Sequence, residues 1–186
     1  MVAVIVVGLV SLALWQASQL SGASSRAGSP SFGTGTTLYP GERGIPLPKL
    51  EGPTLGEDTT LSVADQLGHV LVINVWGSWC GPCRAEAPDL AAISQETARR
   101  GVRFLGIDVR DEPAAAIKFE RTYGITYPSF DDRDGSLLAK FNGIVPVSAV
   151  PSTLVVDEAG VVRARVIGRV DRSTLRSLIA DTEKIQ

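Results

Sequence analysis

The chain has 186 residues, 44% of them hydrophobic and 20% charged, enough apolar content for one buried core with appendages. Lys and Arg number 18 against 20 Asp and Glu, and the resulting formal charge of −2 argues against a nucleic-acid binder. One histidine and two cysteines exclude a four-ligand zinc site of the finger or ribbon type, and leave only His69 for a Ser-His-Asp triad. No metal site and no cofactor are expected.

The first 41 residues carry a single charged side chain, Arg26, so the chain divides by composition. Val2–Trp15 is apolar, and the run reaches Leu20 if Gln16, Ser18 and Gln19 are admitted. Residues 1–20 are therefore expected to form an N-terminal hydrophobic helix that just spans a hydrocarbon core of about 30 Å. A retained membrane anchor is the favoured reading. A cleaved signal peptide, with Ser21-Gly22-Ala23 as the small-residue site, is the alternative. Either one exports the remainder, and no cysteine follows that could carry a lipid. Residues 21–48 are expected to be a linker, since 18 of the 28 are Gly, Ser, Thr or Pro and cannot bury enough apolar surface to order themselves. The folded domain is expected over 49–186.

Within it the pattern alternates. Val70–Trp76 is a continuous apolar run, as for a strand buried on both faces. A helix follows from Gly81, with Leu90, Ile93 and Ala98 on one face, ending at Arg99-Arg100-Gly101. Val102–Val109 is a second strand, and Asp111 is expected to cap a helix with Pro113 in its first turn, stopping at Gly124. Tyr127–Phe130 reads as a short strand and Ser136–Phe141 as a short helix. Ser152–Val156 and Val161–Ile167, joined by Asp157-Glu158-Ala159-Gly160, have hairpin spacing, and Arg163 and Arg165 are expected on its solvated face. A last helix covers Asp171–Ile185, with Leu175, Leu178 and Ile179 inward. The order β-α-β-α-β-α-β-β-α defines an α/β domain with a mixed sheet.

Trp79-Cys80-Gly81-Pro82-Cys83 stands where the buried strand passes into a helix. A disulfide closing so small a loop removes little chain entropy, so it contributes almost nothing as a staple. As a redox pair it is well placed. Cys80 at a helix N-terminus has its thiolate favoured by unpaired N–H groups and the macrodipole. Cys83, one turn inside, is shielded until a mixed disulfide forms on Cys80, then attacks it and releases the partner.

The run from Asn74 to Leu90, with its WCxPCxxExPxL motif, resembles the TlpA/ResA/CcmG branch of the thioredoxin fold, membrane-anchored thiol–disulfide oxidoreductases of the cell exterior. The resemblance extends over residues 46 to 184. It implies a thioredoxin fold with a central mixed sheet flanked by helices and an extra helix–strand unit at 112–130. It also implies a partner role in cytochrome c maturation: reducing apocytochrome c or its chaperone with electrons from a membrane thiol-reductant transporter. Pro151 resembles the fold's cis-proline, with Pro146 as the competing candidate. Trp79, Val150 and Pro151 are then the residues that meet substrate. Glu86 resembles the family's partly buried acid, able to pass a proton to or from Cys83. Asn74 stands where thioredoxins proper carry a buried aspartate, and Phe104 falls near the place of its lysine partner; losing both charges together is consistent, since an unpaired buried charge is costly.

Other features weigh less. His69 reads as a loop residue. Asp131–Gly135 reads as a turn, because a calcium loop in that register would end on Phe141 instead of Glu. A peroxiredoxin needs threonine three residues before its reactive cysteine, and Gly77 stands there. The expected activity is thus extracytoplasmic disulfide reduction at the redox-active pair Cys80 and Cys83. Its rivals are an exported thiol oxidase and a non-catalytic assembly module.

Overall fold

The computed structural model of the chain describes residues 35–185. The hydrophobic helix expected at 1–20, and the linker up to residue 34, lie outside the described residues. Among the described residues no helix is long and apolar enough to cross a membrane. The elements in chain order are β1 (Gly35–Leu38), β2 (Ile45–Pro46), β3 (Glu51–Pro53), β4 (Thr60–Ser62), β5 (Leu71–Trp76), α1 (Gly81–Thr97) and β6 (Arg103–Val109). There follow α2 (Pro113–Tyr123), β7 (Ser129–Asp132), α3 (Ser136–Ala139), β8 (Ser152–Val156), β9 (Val161–Ile167) and α4 (Arg172–Thr182).

The main sheet runs β1-β9-β8-β5-β6-β7, with β2 also on β9. Strand β5 pairs parallel with β6 and antiparallel with β8, so the sheet is mixed, as expected. Every residue of β5 is buried, because both faces are covered. Leu71, Ile73 and Val75 face a core with Leu105, Ile107, Phe130 and Leu154. On the other face Val72 meets Leu90 and Ile93 of α1 and Leu175, Leu178 and Ile179 of α4. The period-2 alternation is present but invisible in hydropathy, since both sets are apolar. Helix α2 and strand β7 stand where the extra helix–strand unit is expected, and the architecture is thioredoxin-like.

Several expectations are corrected. Residues 35–46, read as linker, form β1 and β2 on the outer edge of β9. An uncovered β9 would leave a row of unpaired backbone groups, and this Thr-containing segment satisfies them. That covering also explains Arg165, which is 0% exposed rather than solvated. It faces Thr37 across the β1–β9 register, donating to Thr37 Oγ1 at 3.1 Å and to the Ile144 carbonyl at 2.7 Å. Arg163 pairs with Asp157 at 2.7 Å, so it too is held, not free in solvent.

The shifts elsewhere are small. Helix α1 buries Ala87, Leu90, Ala91 and Ile93, while Ala98 lies beyond its end and is exposed. The short strand falls at Ser129–Asp132 in place of 127–130. The short helix stops at Ala139, and Asp132 secures its start by accepting from the N–H groups of Leu137 and Leu138, both at 2.8 Å. The last helix is Arg172–Thr182, capped by Asp171. The 131–135 segment is a strand end and turn, and the 152–167 hairpin is as read.

The β5–β6 register places Gly106 directly beside Asn74, with Phe104 two residues back on the same face, paired with Val72. Gly106 has no room for a side chain: an added Cβ would stand 2.1 Å from Ser129 Oγ and 2.6 Å from Trp76 Nε1. Gly106→Ala is therefore expected to destabilise the fold by about 2 kcal/mol through overpacking. Urea unfolding should show this as a lower midpoint at unchanged slope, and an unaltered midpoint would refute the packing assigned to this position.

Candidate active site

The site is built where β5 ends. Gly77, Ser78 and Trp79 form a turn closed by the Cys80 N–H donating to the Gly77 carbonyl at 3.1 Å. Cys80 is then the N-cap of α1, its backbone extended, with Sγ accepting from the Cys83 N–H at 3.2 Å. Gly81 and Pro82 fill the first helical positions, where proline's missing donor has no partner to lose. The two cysteines form a disulfide with Cα atoms 5.2 Å apart. Cys80 is 3% exposed and Cys83 1%, so in this oxidised form both sulfurs are covered.

The covering comes from three directions. Trp76 of β5 stacks on Phe119 of α2 with ring centroids 4.5 Å apart, and Phe119 meets Tyr123 at 4.7 Å. Trp76, Phe119, Leu55 and Ala87 form one buried cluster with the two cysteines, and Val150 packs on it. Helix α2 thus supplies an aromatic wall to the disulfide. Val150 precedes the cis peptide bond of the described residues, Val150–Pro151, and Pro146 is not in that position. The Val150 N–H is already engaged, donating to the Ser148 carbonyl at 3.2 Å, and Pro151 accepts from the Gly168 N–H at 2.9 Å.

Glu86 lies one turn beyond Cys83 and is 0% exposed, more deeply enclosed than expected. Its Oε1 accepts from Asn74 Nδ2 and its Oε2 from the Val170 N–H, both at 2.9 Å. Burial raises its pKa from 4.5 to about 7, against the opposing pull of the Val170 N–H, the Asn74 amide and the Arg169 charge. Asn74 also donates to Thr153 Oγ1 at 3.2 Å, tying the acid to β8 two residues beyond Pro151.

Thr153, Val170 and Asp108 were not singled out by sequence. Thr153 carries a faint signal, a hydroxyl inside an apolar strand, whereas Val170 contributes only backbone. Asp108 pairs with Trp76 in the sheet register and is buried; desolvation first, then the charges of Asp111, Asp131 and Glu120, push its pKa up to about 8. Trp79 is 49% exposed, with Nε1 donating to the Val109 carbonyl at 3.2 Å. Its indole lies against Gly77, where an added Cβ would be 2.5 Å from Nε1, so the threonine a peroxidase needs has no room. Asp111 does not cap α2, whose N-cap is Glu112; it binds Ser78 instead. His69 sits in the bend before β5.

A cysteine pair at a helix start, a cis-proline opposite and an enclosed acid define a dithiol–disulfide exchange centre. The AhpC/TSA family profile matches residues 44–165. The chain belongs to the AhpC/TSA family, among its thioredoxin-like thiol–disulfide oxidoreductases. It is 33% identical over 139 residues to the thiol:disulfide interchange protein DsbE of Pseudomonas aeruginosa, covering 74% of this chain and 73% of that one. The structure of a DsbF homologue from Corynebacterium diphtheriae matches with a TM-score of 0.76 at 32% identity, covering 86% of this chain and 99% of the other. A secreted thiol-disulfide isomerase from Corynebacterium glutamicum matches at 0.75 and 31%, with the same two coverages.

Glu86 generates a prediction with a definite sign. Its folded-state pKa lies above the ordinary 4.5, so its protonated form favours folding; that contribution is complete below about pH 4.5 and is lost as pH rises through 7. The displacement corresponds to about 3 kcal/mol. In Glu86→Gln, which never ionises, the decline in stability between pH 4.5 and 7 should shrink by a corresponding amount in denaturant titrations. Equal slopes for the two proteins would contradict the enclosed titration.

Proposed function

We propose that the protein is an extracytoplasmic thiol–disulfide oxidoreductase that reduces protein disulfides, with apocytochrome c or its chaperone as the client during cytochrome c maturation. The observation that carries this reading is the pairing of a helix-capping Cys80 with Glu86 enclosed one turn beyond Cys83. Cys80 is the nucleophile. Its thiolate, favoured by the helix start and the Cys83 N–H, attacks the client's disulfide and forms a mixed disulfide while one client thiolate leaves. Cys83 then loses its proton towards Glu86 and attacks Cys80 Sγ, releasing the second client thiol and forming the Cys80–Cys83 bond. Two electrons pass to the client, and a membrane thiol-reductant transporter supplies two more to reduce the Cys80–Cys83 disulfide again. Trp79, Val150 and Pro151 receive the client chain.

Export is supported by likeness to a secreted C. glutamicum isomerase and by the apolar segment at 1–20, read as a single-pass anchor or a cleaved signal. The same stabilised thiolate also favours a second reading, because stabilising the reduced dithiol makes the corresponding disulfide a stronger oxidant. Redox titration against glutathione separates them. A potential near about −270 mV supports the reductant, and one near about −120 mV supports an exported oxidase.

The client is identified by trapping. Cys83→Ser should halt the cycle at the mixed disulfide on Cys80 in cells, and mass spectrometry of the adduct should find a protein with a Cys-x-x-Cys-His haem site or its chaperone. Recovery of unrelated secreted proteins alone would remove the cytochrome assignment. Unchanged cytochrome maturation after Ser replaces both cysteines would favour a non-catalytic assembly module.

A further inference from the structure

The residue two places before the first cysteine is held from both sides. Asp111, just beyond β6, accepts from the Ser78 N–H, from Ser78 Oγ at 2.9 Å and from the Glu112 N–H at 2.8 Å. From the other side Arg84, the residue after Cys83, donates to the Ser78 carbonyl through Nε at 3.1 Å and Nη2 at 2.7 Å. The N–H, hydroxyl and carbonyl of Ser78 are all committed, far more than a turn on a strand end requires. Trp79 is next in the chain. Its indole lies against Gly77 and donates through Nε1 to the Val109 carbonyl, and half of it faces solvent. The two anchors, Val109 and Asp111, come from the same end of β6. A large ring left in water beside a covered disulfide is useful to an incoming chain only if its position is already set, because ordering it on contact would cost affinity.

We propose that Asp111 is a positioning residue for exchange with protein disulfides: by fixing Ser78 it holds the Trp79 indole as a preset docking face beside Cys80. This rests on the reading of the site as one that reduces protein disulfides. Asp111 takes no part in electron transfer. The reduced Cys80–Cys83 dithiol gives two electrons to the client disulfide, which becomes two thiols, and the protein returns to its disulfide.

The test uses the full chain, with dithiothreitol as electron donor, insulin as the protein disulfide and hydroxyethyl disulfide as a substrate with no chain to dock. Asp111→Ala should raise the KM for insulin about fivefold, the equivalent of one hydrogen bond, with kcat within about a factor of two and hydroxyethyl disulfide reduction unchanged. Trp79→Ala should raise KM as well, and adding Asp111→Ala to it should change nothing further, because both act on one contact. Asp111→Asn keeps the volume and one acceptor oxygen; it should fall between wild type and Ala, and it carries the test if the Ala variant does not fold. An unchanged KM in both Asp111 variants, additive effects in the double variant, or an equal loss on both substrates would overturn the positioning role while leaving the exchange reading intact. If the wild-type protein reduces neither substrate, the exchange reading fails and the docking role with it; if it reduces hydroxyethyl disulfide but not insulin, the exchange reading stands and the docking role for protein disulfides is overturned.

Discussion

A carboxyl group with no access to solvent has to be held by donors that the fold brings to it, and Glu86 is where four separate parts of this chain meet. The acid comes from α1, its first donor from β5, its second from the backbone at Val170 after β9, and Asn74 extends the contact to Thr153 on β8. Moving any one of these would leave a buried polar group unsatisfied, at a cost of about 1–3 kcal/mol. The helix that begins with the cysteines is therefore registered against the sheet by its only fully enclosed acid. Both donors favour the ionised form, while enclosure opposes it more strongly, and the balance leaves the acid near neutrality. That is the range in which a group can both accept and return a proton to a thiol.

The neutral partner matters to this balance. Were Asn74 a carboxylate, two like charges would face each other in a dry space, and a cation on β6 would be needed to relieve them. No side chain fits directly beside Asn74, because that position is Gly106, and its side-chain space is taken by Ser129 Oγ and Trp76 Nε1. The same Trp76 ring then stacks on Phe119 and walls the disulfide. Absence of a side chain at one position thus lets an aromatic ring reach the sulfurs and leaves Glu86 as the acid on that side.

The strands and helices around this site were legible from residue order, Glu86 and Pro151 only through resemblance to a known family, and the limits are physical. Strand β5, helix α1, the hairpin and the cysteine motif are local: each is encoded by a run of neighbours, a cap or a turn. Pro151 could be told from Pro146 because a β run follows it directly. What could not be read is pairing between distant segments. Thr36 and Thr37 sit in a stretch rich in Gly, Ser and Pro, and only β9, well over a hundred residues later, makes that stretch a strand. Arg165 looked solvated for the same reason, since the strand that covers it was unseen. Phe104, placed by counting along one strand, lies two residues from the position directly beside Asn74, which only the β5–β6 register identifies as Gly106.

Asp111 shows how a local rule can be outbid by tertiary context. An Asp two places before a proline-started helix is a reasonable cap, and the backbone at Glu112 does donate to it. Yet the helix takes Glu112 as its N-cap without side-chain help, leaving Asp111 to reach across to Ser78. Capping typically contributes about 1 kcal/mol, and two hydrogen bonds to a partly buried residue contribute at least as much. The chain therefore loses nothing in stability by diverting this side chain. It gains a link between the end of β6 and the turn that presents Trp79. Near the same helix start, then, Glu86 is enclosed and held by Asn74 and Val170, while Asp111 accepts hydrogen bonds from Ser78 and Glu112.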